Sequence, residues 1–408
     1  MRVVSERIPT LKSVTVGLWV NAGSRDERPS QAGFSHFIEH MFFKGTQSRS
    51  AAEISHEIDG LGGEMNAFTT RETTTFYVKV LDQHVKRAIE LLADLFHHSR
   101  FDPREIEKEK QVVLEEIRMV QDDPEDLVQE LHTGQVLGRH PLGRPILGEE
   151  RTIRRLRRRD LMRYIEEQYD PAQIVIAVAG NYDQAALGKM LDRHFGKTTR
   201  GNGTPRPLRC PPEVRGGVVL KKKPLEQVHL CLGLNGVAAG HHDRYAAYLL
   251  NSILGGSTSS RLFQEIREKR GLAYSIYSFP SGYSDVGTMT VYAATRPTEV
   301  ERVIDLVHRE IDLIIRKGIE EKELRRAKNQ MKGSLMLGLE SSHSRMSKLA
   351  KDELIHGSPT SLEHMVAKID GVTVEHVRAV ARQLFRIDRL ATTALGPLLS
   401  STLKKTFR

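Results

Sequence analysis

The sequence predicts an α+β fold made of two similar domains, each combining a mixed sheet with helices, joined by a linker. Two apolar runs, SVTVGLWVNAG and QVHLCLGLNG, begin the pattern in the two halves of the 408-residue chain. Each run alternates with period two, as half-buried strands do, and each leads into an apolar helical segment. The order of later segments also recurs, which indicates a duplicated domain. Because strands mix with pairs of helices, we expect mixed or antiparallel sheets with helices on one face.

Each predicted element of the first half has a counterpart in the second. The helix GFSHFIEHMFF corresponds to HDRYAAYLLNSILGG, and the strand TTTFYVKV corresponds to GTMTVYAAT. An amphipathic helix follows in each half, VKRAIELLADLF or VERVIDLVHREIDLII, and then a long charged helix. A last helix leads into the strand IVIAVAG in the first half and LATTALG in the second. Apolar residues recurring every three to four positions predict the helices.

The domain boundaries follow from a break in this periodicity. The segment RGNGTPRPLRCPPEVRGG is rich in glycine, proline and arginine and has no apolar period, which is typical of a linker. We therefore predict domains at residues 1–200 and 218–408, with the linker at residues 201–217.

Composition excludes several classes of protein. Hydrophobic residues make up 39% and charged residues 28% of the chain, as in globular proteins. No apolar run is long enough to cross a membrane, and the N-terminus MRVVSERIPTLKS lacks the apolar core of a secretory signal. The two cysteines, Cys210 and Cys231, fit a reducing compartment. We therefore expect a cytoplasmic protein that has no membrane partner.

Basic residues outnumber acidic ones, 61 to 52, which gives a net charge of +9. An excess of positive charge can reflect an anionic partner. The densest cluster, RTIRRLRRRD at residues 151–160, predicts the polar face of a helix. Because the cluster has no interleaved aromatic residues and belongs to no known nucleic-acid module, we expect no nucleic acid among the partners.

The segment GFSHFIEHMFFKGT places two histidines and a glutamate among large apolar residues. His36 and His40 lie one turn apart on one helix face, so both imidazoles can reach a single ion. Glu39 lies slightly around the same side and could act on a water at the ion's open position. This H-x-x-E-H spacing is a zinc peptidase motif. The alternative, two histidines by chance in a buried helix, would leave polar groups unpaired at considerable cost.

A catalytic zinc ion needs a third protein ligand in addition to a water. The acidic helix EIEKEKQVVLEEI offers candidates, since Glu109 and Glu116 lie seven residues apart and so share one face. The residues alone neither choose between Glu115 and Glu116 nor exclude Glu105. The alternative is a charged helix face in solvent, which most glutamate-rich helices have.

With these motifs, the sequence resembles the pitrilysin-type, or inverzincin, zinc peptidases over essentially its whole length. The resemblance is to the short-chain branch of the mitochondrial processing peptidase and its bacterial relatives. In that family the third zinc ligand lies 76 residues after the second histidine, which is Glu116 here. The resemblance therefore implies one Zn²⁺ per chain, bound by His36, His40 and Glu116, with Glu39 as catalytic base. A further catalytic glutamate of the family, seven residues before the ligand, matches Glu109.

The resemblance also implies residues that act on the substrate from outside the zinc helix. In the domain without zinc, the family has an arginine and a tyrosine seven residues apart that bind the substrate backbone or stabilise the oxyanion. Arg267 and Tyr274 in SSRLFQEIREKRGLAYS match this pair. Two acidic residues associated with a preference for basic residues near the cut fall on Asp126 and Glu130. The alternative for these last two is ordinary polar residues in a loop and helix.

A further segment resembles the family's edge strand, to which an extended substrate adds a strand of its own. Asn66, Ala67, Phe68 and Thr69 match it within GGEMNAFTTRETTTFYVKV. Backbone pairing of this kind binds many sequences. The alternative is an ordinary sheet edge shielded by charge.

The predicted function is that of a zinc-dependent endopeptidase acting on peptides or unfolded segments. The second half has NSILGGST where the first has its zinc motif, so we expect a single zinc ion per chain. Long family members have four such domains and this chain has two, which predicts a homodimer. The alternatives are a noncatalytic or partner-requiring subunit of the processing-peptidase type and a nucleic-acid-binding protein.

Overall fold

The computed structural model describes residues 1–198, 209–386 and 390–398. The strands in these ranges are β1 (Arg2–Arg7), β2 (Ser13–Val20), β3 (Glu64–Thr69), β4 (Thr74–Leu81), β5 (Ile174–Gly180), β6 (Gly217–Lys221), β7 (Val228–Gly236), β8 (Ala273–Gly282), β9 (Gly287–Thr295) and β10 (Ala391–Leu395). The α-helices are α1 (Phe34–Phe42), α2 (Ala51–Gly60), α3 (Val85–His98), α4 (Pro103–Asp122), α5 (Pro124–Leu137), α6 (Glu150–Arg155), α7 (Arg158–Gln168), α8 (Gln184–Phe195), α9 (Arg244–Leu254), α10 (Val300–Lys317), α11 (Glu321–Gly338), α12 (Ser342–His356), α13 (Leu362–Asp370) and α14 (Val374–Leu384).

The strands form two five-stranded sheets with the same topology. Their orders are β1-β5-β2-β4-β3 and β6-β10-β7-β9-β8. In each sheet the first pair is parallel and the others are antiparallel. The predicted α+β fold with two similar mixed sheets is therefore confirmed. The alternating pattern predicts neither β1 nor β6, because both are short edge strands with largely uncovered residues.

The first sheet packs one face against several helices of the N-terminal half. Val14, Val16 and Leu18 of β2 alternate with residues on the other face and lie in one buried cluster with Phe37 of α1 and Leu92 of α3. This is the packing that period-two alternation predicts. Helix α1 is thereby fixed directly against the sheet.

The other face of the first sheet is also covered. Trp19 of β2 and Val175 of β5 are buried there against Met346 and Leu349 of α12. The Trp19 indole N–H donates a hydrogen bond to the Met346 sulfur at 3.1 Å. The expectation of helices on one face only is therefore wrong, because a helix from the C-terminal half supplies a second layer.

The second sheet has a matching layer. Leu127 and Val128 of α5, which precede this sheet by many residues, pack on Cys231 and Tyr292. His132 of α5 is buried, and its Nδ1 lies 2.9 Å from Thr393 Oγ1. Burial lowers the pKa of His132 to about 3.

The chain forms two compact units, and each includes a helix from the other half of the sequence. The first unit comprises Met1–Met119, Arg144–Pro207 and Met336–Thr360, and the second comprises Val120–Gly143, Leu208–Leu335 and Ser361–Arg408. The units thus differ from the predicted ranges 1–200 and 218–408 by exchanging the segments that contain α5 and α12. Residues 201–208 of the predicted linker lie outside the described residues, and residues 209–216 have no regular secondary structure. No helix in the described ranges is long and apolar enough to span a membrane.

Candidate metal centre

Helix α1 begins at a tightly fixed turn in the first unit. Its N-cap, Gly33, has a φ of 94°, and a Cβ atom there would lie 2.6 Å from the Leu147 carbonyl oxygen. The Gly33 and Ser35 N–H groups donate to the buried Glu27 carboxylate at 2.9 and 2.7 Å. Burial raises the pKa of Glu27 to about 8, although these two hydrogen bonds oppose the rise. The carboxylate caps α1 in place of an N-cap side chain.

Three possible ligand atoms converge between α1 and α4. His36 Nε2 and His40 Nε2 are 3.3 Å apart, and Glu116 Oε2 lies 3.6 Å from each. The side chains are 12%, 17% and 35% exposed respectively. Because α1 and α4 both pack in the core of the first unit, all three side chains are held by rigid elements.

The spacing of these atoms fits a tetrahedral metal ion. Two zinc bonds of about 2.1 Å at a tetrahedral angle place their ligand atoms about 3.4 Å apart. Among the described residues, the buried Glu116 Oε2 has no hydrogen-bond partner, and neither does Glu39 Oε2. Two imidazoles and a carboxylate are ligands that zinc accepts. These residues therefore could hold a metal ion.

Glu109 connects to the same group through His40. Its Oε1 accepts a hydrogen bond from His40 Nδ1 at 2.9 Å, and its Oε2 lies 2.6 Å from Lys44 Nζ. Burial alone would raise the pKa of Glu109, but these two hydrogen bonds lower it. A bond to Nδ1 orients the ring and leaves His40 Nε2 available to an ion.

The protonation state of His36 favours metal binding. Burial, together with His40, lowers the pKa of His36 to about 3, which keeps its imidazole neutral. Burial would also lower the pKa of His40, but Glu109, Glu116 and Glu39 raise it. Burial raises the pKa of the Glu39 carboxyl, and hydrogen bonds from Thr69 oppose this.

The predicted substrate strand forms an edge of the first sheet. Strand β3, which contains Asn66, Ala67, Phe68 and Thr69, pairs only with β4 among the described strands. The Ala67 N–H donates to the Asn66 side-chain oxygen at 2.8 Å. Phe68 packs edge-on against Trp19 at 5.4 Å, and Thr69 contacts Glu39. The strand thus lies beside Glu39, and the Ala67 N–H on it is paired with the side chain of the neighbouring Asn66.

Arg267 and Tyr274 are neighbours in the second unit. The Arg267 guanidinium lies 5.0 Å from the centre of the Tyr274 ring and 4.7 Å from that of Phe263. Arg267 is in a π-helical turn, Phe263–Glu268, and Tyr274 is 78% exposed at an irregularity in the pairing of β8. The structure therefore brings these two predicted residues together.

Asp126 and Glu130 lie one turn apart on α5 in the second unit. The Asp126 N–H donates to Asp123 at 3.0 Å, at the start of the helix. Burial and the charges of Asp123 and Glu125 raise the pKa of the Asp126 carboxyl. Glu125, which immediately precedes Asp126, accepts a hydrogen bond from the Tyr277 hydroxyl. Asp126 is exposed, whereas Glu130 is half-buried.

A second group of possible metal ligands, His241, His242 and Asp243, lies just before α9. Asp243 is the N-cap of α9, and its Oδ1 accepts a hydrogen bond from His376 Nε2 at 2.7 Å. The partial positive charge at a helix N-terminus disfavours a cation. We therefore assign no metal to this group.

Two residues that support the centre are not predicted from the sequence. Lys44 lies just beyond the end of α1, and its bond to Glu109 on another helix has no signature in local spacing. Glu27 lies in a polar turn, where an acidic residue is normally exposed. No sequence signal distinguishes it from its neighbours, because its role depends on the fold of the turn.

Comparison with known families defines the class of the protein. Residues 2–150 match the family description Insulinase (Peptidase family M16), and residues 155–331 match Peptidase M16 inactive domain. The chain belongs to peptidase family M16, as its resemblance to the pitrilysin-type peptidases predicts.

Individual relatives cover almost the whole chain. The uncharacterised zinc protease YmxG of Bacillus subtilis is 44% identical over 389 residues, which are 95% of this chain and 94% of the relative. An uncharacterised zinc protease of Streptomyces coelicolor is 40% identical over 98% of this chain and 88% of the relative.

Two solved structures share the fold. One is described as a peptidase M16 inactive domain from Pseudomonas fluorescens and the other as a protease from Helicobacter pylori. Each superimposes with a TM-score of 0.90 at 22% identity, over 97% of this chain and 96% of the solved chain.

Proposed function

We propose that the chain is a zinc-dependent endopeptidase that cleaves peptides or unfolded segments. The observation that carries this proposal is the triangle of His36 Nε2, His40 Nε2 and Glu116 Oε2, with sides of 3.3 to 3.6 Å. When bound, zinc supplies a Lewis acid that polarises a substrate carbonyl and makes water more acidic. The names of the relatives, zinc proteases, support this choice of metal.

Glu39 is the proposed general base. Its side chain adjoins the ligand triangle but is not part of it, and its Oε2 lacks a hydrogen-bond partner among the described residues. The carboxylate takes a proton from the attacking water and then donates it to the leaving amine. Burial raises the pKa of Glu39. This brings the pKa of the carboxyl closer to neutral pH, where a group that both accepts and donates a proton works best.

Glu109 acts on the reaction through His40 and is a positioning residue. By accepting the Nδ1–H of His40, it fixes which imidazole nitrogen is free and stabilises the ring's orientation. Lys44 balances the charge of Glu109 at 2.6 Å, so the carboxylate is retained at a largely buried position.

The substrate binds as an added strand on the free edge of β3. A peptide carbonyl replaces the Asn66 side-chain oxygen as the acceptor of the Ala67 N–H. Main-chain pairing of this kind selects extended peptides and excludes folded segments. Phe68 and Thr69 continue the same edge.

Arg267 and Tyr274 are proposed to bind the substrate backbone or stabilise the oxyanion. Their mutual contact and the exposure of Tyr274 support a role in binding. Asp126 and Glu130 are proposed to favour basic residues near the cut, since carboxylates attract arginine and lysine. The chain carries both the zinc ligands and the Arg–Tyr pair, so a homodimer with one zinc per chain, in the cytoplasm, needs no unlike subunit.

The proposal is tested by measuring zinc content and cleavage of a quenched, arginine-containing peptide library. Glu39→Gln is compared with wild type and with Glu115→Gln, which changes an exposed carboxylate on α4. We expect about one zinc per chain in all three proteins and cleavage in all but Glu39→Gln. Zinc without cleavage in wild type would favour a noncatalytic or partner-requiring subunit. Absence of zinc from wild type would refute the metal assignment.

A further inference from the structure

A cleft of about 410 Å³ in the first unit is lined by four arginines and by none of the three possible metal ligands. They come from three separate elements: Arg28 precedes a short 3-10 turn, Arg151 and Arg155 lie on α6, and Arg163 lies on α7. A solvated helix face presents its charges from one element. Convergence from three elements instead concentrates positive charge in a concave site.

The arginines of this arginine cleft are poorly neutralised. Arg28 lies 3.3 Å from Glu167, and the only carboxylate in the lining is Asp160, which lies 3.6 Å from Arg159 outside the cleft. Within the described part of the chain, Arg151, Arg155 and Arg163 have no ion-pair partner. By contrast, Arg154 on the same helix α6 pairs with Glu150 at 3.2 Å. Like charges held together in this way repel one another unless an anion binds between them.

The shape of the cleft also suits a ligand. Phe34 and Leu156 are buried residues that contribute apolar lining, and small-molecule sites have volumes of about 300 to 1,000 Å³. Helix α7 begins beside the cleft with Arg157 as its N-cap, and no side chain caps it. The partial positive charge of that helix end has the same sign as the arginines.

We propose that the arginine cleft binds a small ligand that carries two or more phosphate groups. Guanidinium groups bind phosphate oxygens in pairs, with a geometry that lysine cannot reproduce. A single phosphate group carries about two negative charges at most, whereas the cleft offers three guanidiniums without an ion-pair partner among the described residues. A nucleic-acid strand is disfavoured, because the lining has no exposed aromatic side chain on which bases could stack.

The probe is inorganic tripolyphosphate, titrated calorimetrically into the full-length protein at about 0.15 M salt, where exposed charges are screened beyond about 8 Å. The test variant is Arg155→Gln with Arg163→Gln. The matched control is Arg154→Gln with Arg159→Gln, which removes the same charge from the same two helices outside the cleft. All four side chains are exposed, and circular dichroism is used to check that both double variants fold.

We expect about one tripolyphosphate per chain, with affinity at least about tenfold weaker in the test variant and within about threefold of wild type in the control. Equal weakening in both variants would overturn the proposal, because it would indicate diffuse surface charge. Absence of binding at about 1 mM would overturn it as well.

Two further ligands identify the source of the phosphates and the competing macromolecule. ATP that binds as tightly as tripolyphosphate supports recognition of phosphates alone, and tighter binding of ATP supports a nucleotide. A single-stranded oligonucleotide that binds more tightly than either, and is weakened equally by both double variants, would replace the proposal with a nucleic-acid surface.

Discussion

Glu115 and Glu116 are adjacent on α4 but have different surroundings. Glu115 is 66% exposed and pairs with Arg118, whereas Glu116 Oε2 lies 3.6 Å from both imidazole Nε2 atoms. The residues alone leave the choice between them open. Neighbouring side chains on a helix are about 100° apart around its axis, and the sequence does not show which of the two faces α1. Packing of α4 against α1 supports Glu116, which the family spacing also indicates.

Replacement of Glu116 by Gln is expected to lower zinc affinity by more than about tenfold, because a neutral amide oxygen replaces a charged ligand. Glu115→Gln should leave affinity unchanged. Competition with a chelating dye measures both. Equal affinities for the two variants would exclude Glu116 as a ligand.

Replacement of Glu109 by Gln is expected to weaken zinc binding by about 10- to 100-fold, because His40 loses a charged hydrogen-bond acceptor. The control is Glu107→Gln, which changes a 70% exposed carboxylate on the same helix. The same dye competition applies. A zinc affinity for Glu109→Gln equal to that of the control would argue against a positioning role.

Among the elements, α5 makes a very close contact with a strand. The His132 ring lies directly on the backbone of β7, where a Cβ atom at Gly233 would approach His132 Nε2 to 2.4 Å. Such a close approach requires glycine in the strand. The sequence does not reveal this contact, since a glycine in a strand can also mark a bulge or a bend.

Gly233→Ala is expected to reduce the free energy of unfolding by about 1 to 3 kcal/mol through overpacking. Gly333→Ala is the control, because Gly333 lies within α11 and an added Cβ would meet nothing within 4 Å. That change should raise stability by about 0.5 to 1 kcal/mol. Urea unfolding measures both, and a neutral Gly233→Ala would contradict the close packing.

The buried His132 also predicts a pH dependence. Its pKa is about 3 in the folded protein and about 6.5 when unfolded. Between these values the unfolded chain binds one more proton, so stability falls as the pH drops below 6.5.

Between pH 7 and pH 5, protonation of His132 in the unfolded chain should lower the free energy of unfolding by about 2 kcal/mol. His132→Gln should abolish this part of the pH dependence. The measurement compares urea unfolding of the two proteins at both pH values. Identical losses in wild type and variant would show that His132 is not the group responsible.

Most elements can be predicted from local patterns, but the helix layers cannot. Period-two runs identify β2 and β7, and the apolar run of β5 is buried on both faces. That run is typical of a strand covered on both sides. Which helix covers the second face depends on contacts between distant segments, such as Trp19 with Met346, and no local period reports them.

At the scale of the whole molecule, each compact unit depends on a helix from the other half of the sequence. The first unit requires α12, whose Met346 is fully buried against the first sheet. The second requires α5 in the same way. We therefore expect that the two halves of the chain do not fold as autonomous domains, despite their similar topology.

Residues 1–198 produced alone are expected to aggregate, because Trp19, Val175 and Ala177 would lack their apolar cover. Co-production with residues 199–408 should restore soluble material. Gel filtration and a dye that binds exposed apolar surface provide the measurement. A cooperative, dye-free monomer of residues 1–198 would show that α12 is dispensable.

The late position of α12 also constrains how the protein is made. About 160 residues separate the end of β5 from the start of α12. A ribosome adding about 5 to 20 residues per second needs roughly 10 to 30 seconds to cover that distance. During this time the first sheet is complete in sequence but bare on one face. A nascent chain of this kind is a natural client for chaperones that shield apolar surface during translation.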